Sequence, residues 1–218
     1  MNNPITRKTA ILIDGGFYRK RAVTLWGTLA PKDRATEMID YCMRHINEPD
    51  EPRDLQRIFY YDCPPLSMKI MHPLTKLLID TVSLPFNTWT ADFQKELAGK
   101  HKIALRMGEL SATKSPYALN SNVVNDLVHK KRNINNLTEA DFHIAVKQKG
   151  VDLRIGLDTA SLAYGRYVDQ IILIAGDSDF IPVAKMARRH GINFILDPLK
   201  NNLKPNFLEH VDELKSYA

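Results

Sequence analysis

At 218 residues, 44% apolar and 25% charged, the chain has the length and balance of a globular protein with one sizeable core. A net charge of +5 is mildly basic and points only weakly to a polyanionic partner. Two cysteines exclude a disulfide framework or a thiolate metal cluster, and the apolar stretch Ala10 to Ile13 is too short for a signal-peptide core. No run approaches the ~18 apolar residues of a membrane span, so a cytoplasmic protein with no membrane partner is expected.

In chain order, the first expected strand runs from Thr9 to Ile13, followed by Asp14 and two glycines. The spacing of apolar residues predicts a helix over Thr36 to Ile46 and a strand over Leu55 to Tyr61, which ends at Asp62, Cys63 and two prolines. A helix is expected over Leu66 to Val82, a shorter one over Ala91 to Gly99, and a third strand near Lys102 to Met107. From Gly108 to Asn136 the pattern is irregular, rich in Ser and Asn, with a helical piece around Val123 to Lys131 and the basic run His129 to Asn133. The segment from Leu137 to Gly150 reads as a helix with Thr138 as its N-cap. A further helix covers Asp152 to Tyr164. A fourth strand, Gln170 to Ala175, leads through Gly176 into Asp177-Ser178-Asp179. A helix over Asp179 to His190 has Pro182 in its first turn and Gly191 as its C-terminal cap, and precedes a fifth strand, Ile192 to Leu196. The tail reads as a loop and a short helix, Pro205 to Leu214. Strands alternating with helices argue for an α/β fold with a mainly parallel sheet.

In such a sheet, sites form outside the carboxyl ends of the strands. Asp14, Asp62, Asp177 and Asp179 follow strands, and Asp152 and Asp158 lie on the helix before the fourth. Several carboxylates at one edge repel unless a proton or a cation lies among them. Without a Cys/His cluster, the matching cation is hard: Mg²⁺ or Mn²⁺. A bland reading stands beside each acid. Asp179 and Asp152 serve equally well as helix caps, and Asp62 before Cys-Pro-Pro reads as turn chemistry. His143 and His190 do not read as ligands. The basic run suits a solvated face as well as a phosphate groove. Arg19, Lys20 and Arg21 follow Asp14 closely enough to bring positive charge near it.

Three stretches, AILIDGGFYRKRA, KQKGVDLRIGLDTASLA and QIILIAGDSDFIPVAKMARRHGINFIL, resemble in order the motifs of the NYN domain family, a branch of the PIN-like nuclease fold, within its LabA-like group. The resemblance implies a single domain over residues 1–218, a three-layer α/β/α sandwich around a mainly parallel sheet, with an irregular excursion at about 108–136 and a tail from about 198. It also implies a metal-dependent ribonuclease site. Asp14, Asp158 and Asp177 would hold Mg²⁺ or Mn²⁺, with Asp152 and Asp179 as further catalytic acids. Ser178 would hydrogen-bond within the cluster, and Lys149 falls on the motif's lysine. One position departs from the family pattern: where many members read D-G-x-N, this chain has Phe17.

The expected function is therefore metal-dependent hydrolysis of RNA, with Arg19, Arg21, Lys130, Lys131 and Arg132 on backbone phosphates beside Ser178 and Lys149. A non-catalytic RNA-binding module of the same fold is the alternative, favoured by Phe17. A phosphatase ranks behind both, because no Asp-x-Asp follows the first strand and no phosphate loop is present. A homodimer would fit, since a single such acid cluster is shallow and a partner could wall a groove.

Overall fold

The structure, a computed structural model, describes residues 6–111, 116–203 and 205–218. Its framework follows the chain as β1 (Arg7–Asp14), α1 (Gly15–Trp26), α2 (Pro31–Ile46), β2 (Arg53–Asp62), then the short strands β3 (Lys69–Met71) and β4 (Leu78–Asp80). Next come α3 (Pro85–Ala98), β5 (Ile103–Met107), β6 (Glu109–Ser111), β7 (Tyr117–Leu119), α4 (Ser121–Val128), β8 (Phe142–Ile144) and β9 (Lys147–Lys149). The last part comprises α5 (Val151–Tyr164), β10 (Gln170–Ile174), α6 (Ile181–Arg189), β11 (Asn193–Asp197), α7 (Pro205–Leu208) and β12 (Glu213–Leu214).

Six strands form one sheet in the order β12-β11-β10-β1-β2-β5, and every neighbouring pair is parallel. A parallel sheet needs cover on both faces, which is why β1 and β10 read as unbroken apolar runs rather than alternating ones. Ala10 and Leu12 of β1 join α5 and α6 in one core through Ile155, Leu162 and Ala184. Ile11 and Ile13 point the other way, to Tyr18 of α1, Met38 of α2 and Phe93 of α3. The result is the expected α/β/α sandwich. Among the described residues, no helix is long and apolar enough to cross a membrane.

The chain order reverses between β1 and β10. The strands β1, β2 and β5 run outward to one side, and β10, β11 and β12 to the other. Helices leaving the two central strands therefore diverge, and a crevice opens above their carboxyl ends.

Two expected helices take other forms. Leu66 to Val82 is an antiparallel hairpin, β3 against β4, with Ile70 opposite Ile79. Pro73 would break an intrahelical bond, and the His72 ring instead accepts N–H bonds from Leu74 and Thr75 to set the turn. After Thr138 the helix stops at one 3-10 turn, Glu139–Asp141, closed by a Thr138/Asp141 capping box. The following residues become β8 and β9, because β7 and β6 from the irregular stretch pair with them. Residues 112–115 of that stretch lie outside the described residues. The expected tail helix is confined to α7, and Glu213–Leu214 extends the sheet edge instead. Helix α1 was not expected, since two glycines open it. Burial of Tyr18 and Ala22 supplies what propensity withholds.

Candidate active site at the strand reversal

Four carboxylates, Asp62, Asp14, Asp177 and Asp197, stand at or just beyond the carboxyl ends of the adjoining sheet strands β2, β1, β10 and β11, and their partners divide them sharply. Asp62, at the end of β2, is 1% exposed. It accepts from Arg19, from the Tyr60 hydroxyl at 3.1 Å, from Cys63 N–H at 2.8 Å and from Gln148 Nε2 at 3.2 Å. Asp197, at the end of β11, is fully buried and accepts from Tyr41, Ser216 and Leu199 N–H, with His45 Nε2 at 2.8 Å. These two are satisfied inside the protein. Asp14 and Asp177 are not. Asp14 accepts the N–H of Phe17 at 3.1 Å as the N-cap of α1. Asp177 accepts the N–H of Asp179 at 3.0 Å as the cap of the 3-10 turn Ser178–Phe180. Capping thus falls to Asp14 and Asp177 and not to Asp152 or Asp179, since α5 starts at Gly150 and α6 at Phe180 without a side-chain cap, and it leaves the remaining lone pairs of Asp14 and Asp177 to the crevice.

That crevice measures about 510 Å³ and is lined by Asp14, Lys20, Gln148, Asp177, Ser178 and Phe207 among others. Two close approaches shape it. A Cβ at Gly15 would lie 2.7 Å from the Tyr61 carbonyl oxygen and against the Tyr60 ring, so only glycine lets α1 start flush against β2. A Cβ at Gly176 would overlap the Phe17 ring. Phe17 thus wedges α1 onto the exit of β10 and forms part of the crevice lining, half-buried.

Burial lifts the Asp14 carboxyl above its usual range, and the negative charge of Asp152 adds to the lift, against the N–H of Phe17 and the Arg19 guanidinium. Partial burial, then Asp177 and Asp179, lift Asp152 in turn. Asp152, in the first turn of α5, therefore links Asp14 of β1 with Asp177 and Asp179 of the loop after β10 in one region of negative charge. Among the described residues, no three His, Cys, Asp or Glu side chains converge into a metal-holding group. The donor set still fits Mg²⁺ or Mn²⁺, since Mg²⁺ usually takes one or two carboxylates and completes its shell with water and substrate phosphate. Uncompensated carboxylates in a crevice are the electrostatic condition for such an ion.

Asp158 does not join this field. Its carboxylate takes the Arg106 Nε at 2.9 Å and the Tyr61 hydroxyl at 2.9 Å, tying α5 to β5 and β2. The cations expected on substrate also divide. Arg19 pairs with Asp62, and Arg21 spends its guanidinium on the Leu199 carbonyl at 2.8 and 3.2 Å. Arg132 is held by Asp141. Lys130 and Lys131 are exposed beyond α4 and do not line the crevice, and Lys149 is exposed on β9. Lys20 does line it and makes no ion pair among the described residues. Gln148 and Phe207 also line it. Nothing in their local sequence marks them, since each arrives from an element distant in the chain.

The NYN domain profile matches residues 77–211, more than half of the chain. The chain belongs to the NYN domain family. NYN domains are a PIN-like nuclease family, which implies a nucleic-acid substrate. The matched span of this NYN protein includes Asp152, Asp158, Asp177 and Asp179, and begins after Asp14. Among solved structures it is similar to VPA0982 from Vibrio parahaemolyticus, a protein of unknown function, with 14% identity and a TM-score of 0.50. That alignment covers 100% of this chain and 97% of the other, a likeness of fold. No curated protein matches the sequence.

Proposed function

We propose that this NYN protein is a metal-dependent endoribonuclease acting at the crevice between β1 and β10. One observation carries the reading: of the carboxylates that follow β1, β2, β10 and β11, Asp14 and Asp177 alone keep lone pairs for the crevice, and both lie where the strand order reverses. Asp14 and Asp177 would hold the ion, with Asp152 and Asp179 adding negative charge beside it. A bound Mg²⁺ or Mn²⁺ supplies an activated water and stabilises charge on a phosphoryl oxygen. The chain does the rest. Lys20 binds a backbone phosphate, Ser178 hydrogen-bonds within the acid cluster, and Phe17 keeps the α1 cap seated on Gly176 so that Asp14 holds its position.

The test is cleavage of labelled RNA, single-stranded and hairpin together, with Mn²⁺, beside EDTA and an Asp177→Asn variant prepared identically. Cleavage lost in both controls supports the reading. Cleavage that survives in the variant assigns the activity elsewhere. A second reading, an RNA-binding module without turnover, rests on the absence of a converged group of three acids among the described residues. It predicts RNA binding with no cleavage under any of these conditions.

A further inference from the structure

The acid crevice opens sideways into a second, larger groove of about 1250 Å³, and the two share Gly16, Lys20 and Gln148 in their walls. This groove is apolar. Val23 and Leu29, from α1 and the turn after it, face Phe86 and Trp89 from the start of α3, and these side chains include exposed hydrophobics: Val23 is 48% exposed and Phe86 66%. Trp89 is fixed, since its indole N–H donates to the Leu29 carbonyl at 2.9 Å and its ring stacks on Phe93. The Arg19 guanidinium lies 5.7 Å from the centre of the Phe86 ring. No Asp or Glu lines the groove among the described residues.

We infer that this groove receives the unstacked bases of single-stranded nucleic acid whose backbone crosses the acid crevice, an assignment that rests on the nuclease reading above. Three features select that occupant. The wall joining the two spaces carries Lys20, which makes no ion pair among the described residues, so a polyanion is favoured at the seam. Beyond the seam the surface is aromatic and aliphatic, which suits the faces of bases and not phosphates. The volume exceeds the ~300–1,000 Å³ of a usual small-ligand pocket, so it has room for more than one base. A duplex offers none of this. In A-form RNA the base faces are stacked inward and the surface offers only sugar, phosphate and base edges, which would leave the groove empty. Stacking reads no hydrogen-bond pattern, so the groove selects strandedness and not sequence.

The experiment measures binding in EDTA by fluorescence anisotropy, with a short labelled mixed-sequence RNA single strand and the blunt duplex of the same sequence. Phe86→Ala removes an exposed ring at no cost to the core, and Val23→Glu puts a charge into the opposite wall. Each is expected to weaken single-strand binding by about fivefold to a hundredfold and to leave duplex binding unchanged. Single-strand affinity equal to wild type in both variants overturns the assignment and leaves the groove to an apolar peptide. Duplex bound as tightly as single strand, and equally weakened, overturns it as well. The nuclease reading is scored separately, by cleavage. Activity that depends on Asp177 while Phe86→Ala binds normally defeats the groove alone. Loss of affinity in Phe86→Ala without any wild-type cleavage defeats the nuclease reading alone.

Discussion

Asp14 caps α1 and is at the same time stripped of much of its water beside Asp152, two roles with opposite effects on stability. Asparagine caps as well as aspartate and carries no charge. Asp14→Asn is therefore expected to abolish cleavage yet melt above wild type in EDTA at neutral pH, whereas Asp14→Ala loses the cap and about 1 kcal/mol. The sign follows from the raised folded pKa. The folded state holds this proton more tightly, so the contribution to stability is present at low pH and lost as pH rises through the folded value. The advantage of Asp14→Asn should accordingly vanish near about pH 3, where both states are protonated, in urea melts across that range. Lys20→Ala should raise KM about threefold to tenfold with little change in kcat, as expected for an exposed phosphate contact. Asp14 and Asp177 were legible in the sequence because an apolar run breaks abruptly into glycine and aspartate. The place of Asp62 after a strand was legible too, but its buried pairing was not, since its partners Arg19 and Gln148 lie 43 and 86 residues away and only the fold brings them together.

Helix α5 shows how much an element's packing decides what its side chains do. Asp152 and Asp158 sit six residues apart on it. The first lies close enough to Asp14, Asp177 and Asp179 to feel their charge, and the second is drawn to Arg106 on β5. Both members of that ion pair are partly exposed, so Asp158→Asn should cost no more than about 1 kcal/mol and spare cleavage, measured by urea melts and RNA assay together. Gly15→Ala places a methyl against β2 and should cost about 1–3 kcal/mol, read by the same melts. Strands and the long helices were legible from periodicity, because each buries one face or both. The hairpin β3-β4 was not, since its apolar residues mimic helical spacing, and only Pro73 argues against a helix. Strands β8 and β9 were hidden for another reason: each is three residues long and owes its form to a partner strand from the irregular stretch.

At the scale of the whole molecule, a cation that relieves the repulsion among Asp14, Asp152, Asp177 and Asp179 binds the folded state alone. Mn²⁺ at about a hundred times its Kd should then stabilise the wild type by roughly 2.7 kcal/mol, visible as a rise in Tm, with a smaller rise in Asp177→Asn. The parallel architecture and the position of the crevice were legible because the β-α alternation and the strand-end acids share one pattern. The strand order was not, because a parallel pair carries no local signal of its neighbour. That order has a consequence for how the chain is made. Strand β1 lies at the centre of the sheet, yet one of its two neighbours, β10, is about 160 positions downstream, as the Thr9–Gln170 hydrogen bond spans 161 residues. At about 5–20 residues per second, a ribosome takes roughly 8–30 s to supply it. For that interval a strand with the apolar centre Ala10 to Ile13 keeps an open hydrogen-bonding edge, and a holding chaperone is its natural guardian during synthesis.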